Sequence, residues 1–193
     1  MRQSPFLSGS TILNAIPAQA ELVWLRRRES ELRKAIAEQG FTSTTAKALS
    51  GAIAEIINNV WQHAQTTLPA LLAYRSEQER FSVVIADLGV GVLNSLRTNP
   101  AYASLNSSMT ALKKAMAVGV SRLPDSDGYG FDTVLRALAD QWGGVRLRTG
   151  EAILEFHGTA EVRKAHASYG VALPGLQVAF ACCANPPATP IAL

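Results

Sequence analysis

Apolar residues recur at helical spacing from about Ala18 to Glu38, where Leu22, Leu25, Leu32 and Ile36 mark one face and Gly40 supplies a C-terminal stop. Ser43 or Thr44 then offers an N-cap for a second helix reaching about Ala64, with Leu49, Ile53, Ile56, Ile57 and Val60 as its apolar face. Leu68 to Tyr74 and Phe81 to Ala86 read as two strands around a polar turn, Arg75 to Arg80, which is the pattern of an antiparallel hairpin. Ahead of these, Thr11 to Ile16 reads as an edge strand stopped by Pro17.

The second half is less regular. From Leu93 to Asp127 the chain is long, polar and poorly periodic, with one short helix expected from near Ser107 to Gly119; such a length predicts a mobile lid, about residues 93–127. A helix is expected over Phe131 to Gln141, broken by Gly143 and Gly144. Val145 to Arg148, Ile153 to His157 and Leu176 to Cys183 then read as a meander of strands. Pro186, Pro187 and Pro190 make residues 185–193 an irregular tail, so the expectation is one domain over 1–184.

Composition narrows the picture. A chain of 193 residues with 48% hydrophobic content suffices for one domain with a full core. The net charge of +3 is small and scattered, and no basic stripe interleaves with aromatics, which argues against nucleic acid; Arg26-Arg27-Arg28 reads as a solvated helix face. No apolar run approaches the roughly 18 residues of a membrane span, and no secretory signal pattern opens the chain, so a cytoplasmic protein without a membrane partner is expected. Cys182 and Cys183 are adjacent and can neither close a loop nor complete a zinc site, leaving two strand thiols as the plain reading.

Three segments carry candidate chemistry. Steps of four residues advance about 40° around a helix, so Glu55, Asn59 and His63 lie within a narrow arc of one face. An Asn carbonyl suits Mg²⁺, which keeps several waters and takes one or two protein oxygens plus phosphate oxygens, and Glu55 can serve as a general base. An exposed polar helix face with a surface histidine is the alternative. In Asp87-Leu88-Gly89-Val90-Gly91 a carboxylate ends the apolar strand Val83 to Ala86 and needs a partner, which an exocyclic amine would satisfy; Gly89 and Gly91 let backbone approach a flat ring. An ordinary Asp-Gly turn is the alternative here.

Gly128-Tyr129-Gly130-Phe131 opens the expected second-half helix. It lacks a preceding strand, and Thr133 occupies the third-glycine position of a dinucleotide fingerprint. A calcium loop begun at Asp125 would place Arg136 where a bidentate Glu belongs. A phosphate site at a helix N-terminus remains, beside a plain hinge and cap.

In this order the segments resemble the ATP-binding domain of the gyrase, Hsp90, histidine kinase and MutL (GHKL) superfamily, over roughly Ile16 to Ala184. Glu55-x-x-x-Asn59-x-x-x-His63 looks like its N box, Asp87-Leu88-Gly89-Val90-Gly91 like its G1 box, and Gly128-Tyr129-Gly130-Phe131 like its G2 box. Ile16-Pro17-Ala18-Gln19-Ala20 and Asn59-Val60-Trp61-Gln62-His63-Ala64 look most similar to the anti-sigma-factor serine kinases and related stand-alone ATP-binding proteins.

The resemblance implies a Bergerat-type α+β fold: a two-layer α/β sandwich with a mixed, largely antiparallel sheet and helices on one face. It implies ATP and Mg²⁺ as cofactors, with Asn59 as metal ligand, Glu55 as base and Asp87 as acceptor for the adenine amino group. Gly89 and Gly91 would line the ring, Gly128, Tyr129, Gly130 and Phe131 would contact phosphates, and His63 would stand at the phosphate edge or be structural. The family often carries Gly-Thr near its last strand, where the hydroxyl shares a water with the adenine-binding acid; here Leu176 follows Gly175. Ser126 replaces a family glycine, and Asp132 adds negative charge near the expected phosphates.

The function implied is a regulatory ATP-binding protein, a kinase acting on a serine of a separate partner such as a sigma factor, an antagonist or a response regulator. A homodimer is compatible with it. The other readings are a weak ATPase, a non-catalytic ATP-dependent binding module, the separate catalytic component of a two-component system, or a crippled relative serving as a scaffold, which Glu55 argues against and Leu176 supports. No segment resembles a phosphoacceptor-histidine helix pair.

Overall fold

The computed structural model describes residues 9–13, 18–116, 142–157 and 166–185. Two helices lead, α1 (Ala18–Ala37) and α2 (Ser43–His63), after a short strand β1 (Gly9–Leu13). Thr42, in extended backbone, caps α2 by accepting the Thr45 N–H on its side-chain oxygen at 3.1 Å, one residue ahead of the expected cap. β2 (Ala70–Glu77) and β3 (Arg80–Ala86) form the anticipated hairpin. Its turn is only Gln78-Glu79, at φ 50° and 61°, a two-residue connection whose twist matches that of the strands. The polar residues Arg75 to Glu77 continue the pairing, because an antiparallel sheet tolerates polar side chains on its solvated face.

β4 (Trp142–His157) and β5 (His166–Cys183) join a sheet in the order β1-β2-β3-β5-β4, whose pairings among the described residues are all antiparallel. The meander of three short strands is corrected to two long ones. Gly150 and Gly175, which look like breaks in the sequence, sit where the β4–β5 register is irregular, and pairing resumes on either side.

The architecture is α+β, with helices on one face of the sheet. Along β3, Phe81, Val83 and Ile85 are buried while Ser82, Val84 and Ala86 alternate outward. The inner residues meet Leu32 and Ile36 of α1, Leu49, Ile53, Ile56 and Ile57 of α2, and Val145, Leu147, Val178 and Phe180 of the neighbouring strands in one cluster. On the outer face Val84 and Leu71 remain partly exposed. Cys182 faces the core and Cys183 does not; both are free, and burial pushes the Cys182 thiol up to about 12, which leaves it unreactive.

Between β3 and β4 the chain forms α3 (Gly91–Arg97), a 3₁₀ turn (Pro100–Tyr102) and α4 (Ser108–Ala115). Within the described part of the expected lid, Leu96, Met109, Ala111 and Leu112 are buried, and Met109 and Leu112 join the main cluster. Residues 117–127 of the expected lid, the helix expected over Phe131 to Gln141 and the tail from 186 lie outside the described residues.

Candidate functional site

β3 delivers Asp87 to the point where the strand ends against β5, and the carboxylate is 4% exposed. Oδ1 accepts the Gly89 N–H at 2.7 Å and Oδ2 accepts the Leu176 N–H at 3.2 Å, while the Asp87 N–H donates to the Leu176 carbonyl at 3.0 Å. Burial pushes the carboxyl above its ordinary range, and the two backbone donors oppose that shift. An ionised carboxylate has about four lone-pair positions, so two bonds leave acceptor capacity for a further donor.

The loop after Asp87 is fastened to the end of α2. The Val90 N–H donates to the Ala64 carbonyl at 2.9 Å, and a Cβ on Gly89 would stand 2.1 Å from that same oxygen. Only glycine permits so close an approach. On the other side, Gly175 at φ +73° lies so near Asp87 that a Cβ would meet its carbonyl oxygen at 2.0 Å.

A cavity of 290 Å³ opens beside these contacts, lined by Gly89, Val90, Gly91, Leu93, Asn94, Ser108, Thr149, Gly150, Leu173, Pro174 and Gly175. Its polar groups are already oriented. Thr149 Oγ1, on a residue 2% exposed, donates to the Gly175 carbonyl at 2.8 Å and accepts the Val92 N–H at 3.1 Å. Ser108 Oγ at the start of α4 bonds Glu151 Oε2 at 3.0 Å, and Asn94 Nδ2 donates to the Val90 carbonyl at 3.1 Å.

The structure thus brings Asp87, Gly89 and Gly91 together: the two glycines line the cavity, and Asp87, bonded to Gly89, stands behind them and is not itself among the lining residues. Glu55, Asn59 and His63 are half-buried on the later turns of α2, whose end is tied to the loop through Ala64, but they are not among the described residues lining the cavity. Gly128, Tyr129, Gly130 and Phe131 lie outside the described residues. Thr149 and the contact made by the Ala64 carbonyl were not anticipated. Thr149 carries a faint signal, a hydroxyl directly before a glycine at the end of the Val145 to Arg148 alternation, whereas Ala64 stands out in the sequence only as a helix end and the close of the Asn59-to-Ala64 motif.

Among the described residues no group of three or more His, Cys, Asp or Glu side chains could hold a metal. Asn59 offers one amide oxygen, which suits Mg²⁺ bound mainly through water and phosphate oxygens and no cation that needs a cage of protein ligands. No described helix is long and apolar enough to cross a membrane.

The chain matches no protein-family model and no curated protein sequence. Among solved structures it is similar to the crystal structure of the B-subunit of the DNA gyrase from Myxococcus xanthus, at 14% identity and a TM-score of 0.31. That match covers 75% of this chain and 40% of the subunit, so the chain spans about two fifths of that protein's length. Neither result singles out an anti-sigma-factor kinase.

Proposed function

We propose that this protein binds ATP beside the Asp87 loop and serves as a regulatory module, acting in the cytoplasm on a separate protein partner. The observation that carries this reading is the Asp87 wall: a buried carboxylate with spare acceptor capacity, held by two backbone N–H groups, next to a cavity bordered by Gly89, Gly91 and Gly175. Such a wall accepts a flat ring bearing an amino donor. In this reading Asn59 supplies the Mg²⁺ ligand, His63 stands at the phosphate edge, and Gly128, Tyr129, Gly130 and Phe131 meet the phosphates. When bound, Mg²⁺ would offset charge on the phosphate oxygens.

The finer proposal is phosphoryl transfer to a serine of the partner, with Glu55 as base. A non-catalytic module is the second reading. Calorimetry with Mg-ATP tests binding first. Asn59→Ala should lower magnesium-dependent affinity by roughly 1.5–3 kcal/mol, the range for losing a bond to a charged group. An unchanged affinity removes Asn59 from the site. Glu55→Gln then separates the readings: a kinase retains ATP affinity but loses most of the roughly 10²–10⁴-fold due to general base catalysis, while a module keeps its ATP-dependent partner binding.

A further inference from the structure

Asp87 is held by a hydrogen-bonded circuit, and the circuit closes through a residue on a different strand. The Leu176 N–H that reaches Asp87 Oδ2 and the Gly175 carbonyl that receives the Thr149 hydroxyl belong to the same peptide group. That group is planar and rigid, so an orientation imposed on its carbonyl is imposed on its N–H as well. Donation into the carbonyl also polarises the unit and strengthens the N–H as a donor.

Thr149 closes the other side as well. No side-chain bond caps α3 from Val90, and the Val92 N–H, one of the donors a helix start leaves without an intrahelical partner, is taken by Thr149 Oγ1. The hydroxyl uses its one proton toward Gly175 and a lone pair toward Val92. From Val92 the chain leads back through Gly91 to Gly89, whose N–H holds Asp87 Oδ1. A Cβ on Gly91 would lie 2.9 Å from Thr149 Oγ1, so turn and hydroxyl are in close register.

We propose that Thr149 is a positioning residue for Asp87: acting through the Gly175–Leu176 peptide and the start of α3, it fixes the carboxylate against which the ligand's amino group docks. The proposal rests on the nucleotide reading for its ligand and on the circuit alone for its geometry. Leu176 brings no side-chain hydroxyl, so Thr149 contributes from β4 an ordering group that the residue after Gly175 does not provide.

The test compares Thr149→Val, which keeps the shape and removes the hydroxyl, with Thr149→Ser, which keeps the hydroxyl, in the full chain. NMR on the free protein reads the Leu176 amide. In Thr149→Val its proton should shift upfield and exchange faster, and in Thr149→Ser it should stay near wild type. Titration with Mg-ATP and Mg-GTP should show ATP affinity about three- to tenfold weaker in Thr149→Val, the size of one neutral hydrogen bond, with a narrowed ATP-to-GTP preference that Thr149→Ser restores. A purely structural role would lower the unfolding midpoint and leave that preference alone. Should the valine variant fail to fold, Thr149→Ala is read the same way. An unchanged Leu176 amide in a folded hydroxyl-free variant overturns the proposal, as does unchanged nucleotide preference. If wild type binds no ATP, the nucleotide reading falls, and the Leu176 amide alone decides whether Thr149 positions Asp87.

Discussion

Under the sheet, Phe81, Val83 and Ile85 meet Ile53, Ile56 and Ile57 of α2 in a region that is entirely apolar and buried. At the end of the same strand, Asp87, Thr149 and Gly175 are buried just as deeply, but the contacts there are hydrogen bonds and glycine-permitted approaches. The first region gains from the transfer of apolar area out of water and tolerates any side chain of similar shape. The second has a carboxylate whose ionisation burial opposes, and it depends on every donor being in place. A folded core can be conserved in volume alone; the cleft wall needs particular atoms.

Truncation within the core should have the largest effect. Phe81→Ala removes a fully buried ring stacked on Tyr74 and tilted against Phe180, and should cost about 3–5 kcal/mol in urea unfolding, with no change in nucleotide preference among molecules that remain folded. A loss below 1 kcal/mol would mean that the core is looser than its burial implies.

Gly175→Ala strikes the wall instead. Its φ of +73° costs a side chain roughly 1–3 kcal/mol, and the new Cβ would drive into the Asp87 carbonyl 2.0 Å away. Stability should fall by less than for Phe81→Ala, yet ATP binding should be lost. Retained affinity in this variant would separate the cleft wall from the ligand.

Thr42→Ala touches neither region and calibrates both. Losing the cap on α2 should cost about 1 kcal/mol of stability without changing ligand preference. A change in preference would show that the position of α2 controls the cleft more tightly than its Ala64 contact suggests.

The smallest effect is a pH dependence. The folded Asp87 carboxyl lies above its ordinary value of 3.8, so between the two values the folded chain retains a proton that the unfolded chain has released. Stability from this group is therefore fully present below 3.8 and is lost as pH rises through the folded value. Urea midpoints of wild type, measured relative to Asp87→Asn, should decline across that window. A constant difference would contradict the burial of an ionising carboxylate.

The core was legible because its signal is local. Phe81, Val83 and Ile85 alternate, and Ile53, Ile56, Ile57 and Val60 follow the helical period, so hairpin and α2 could be placed within a few residues. The long β4 and β5 were not legible, since Gly150 and Gly175 mark bulges that only pairing partners distinguish from turns. α3 was missed because its seven residues have little periodicity of their own, and its start is held by Thr149 from a distant strand. Asp87, Gly89 and Gly91 announced themselves by type and spacing. Thr149 and Ala64 act through one hydroxyl and one carbonyl, and such roles exist only once the chain has folded.

Amide chemical shifts followed through a titration with Mg-ATP test the central claim most directly. The account predicts that Gly89, Gly91, Val92, Thr149 and Gly175 shift together and saturate with one affinity, while the core amides of β3 stay in place. Shifts confined to other residues, or none at millimolar ATP, would contradict it.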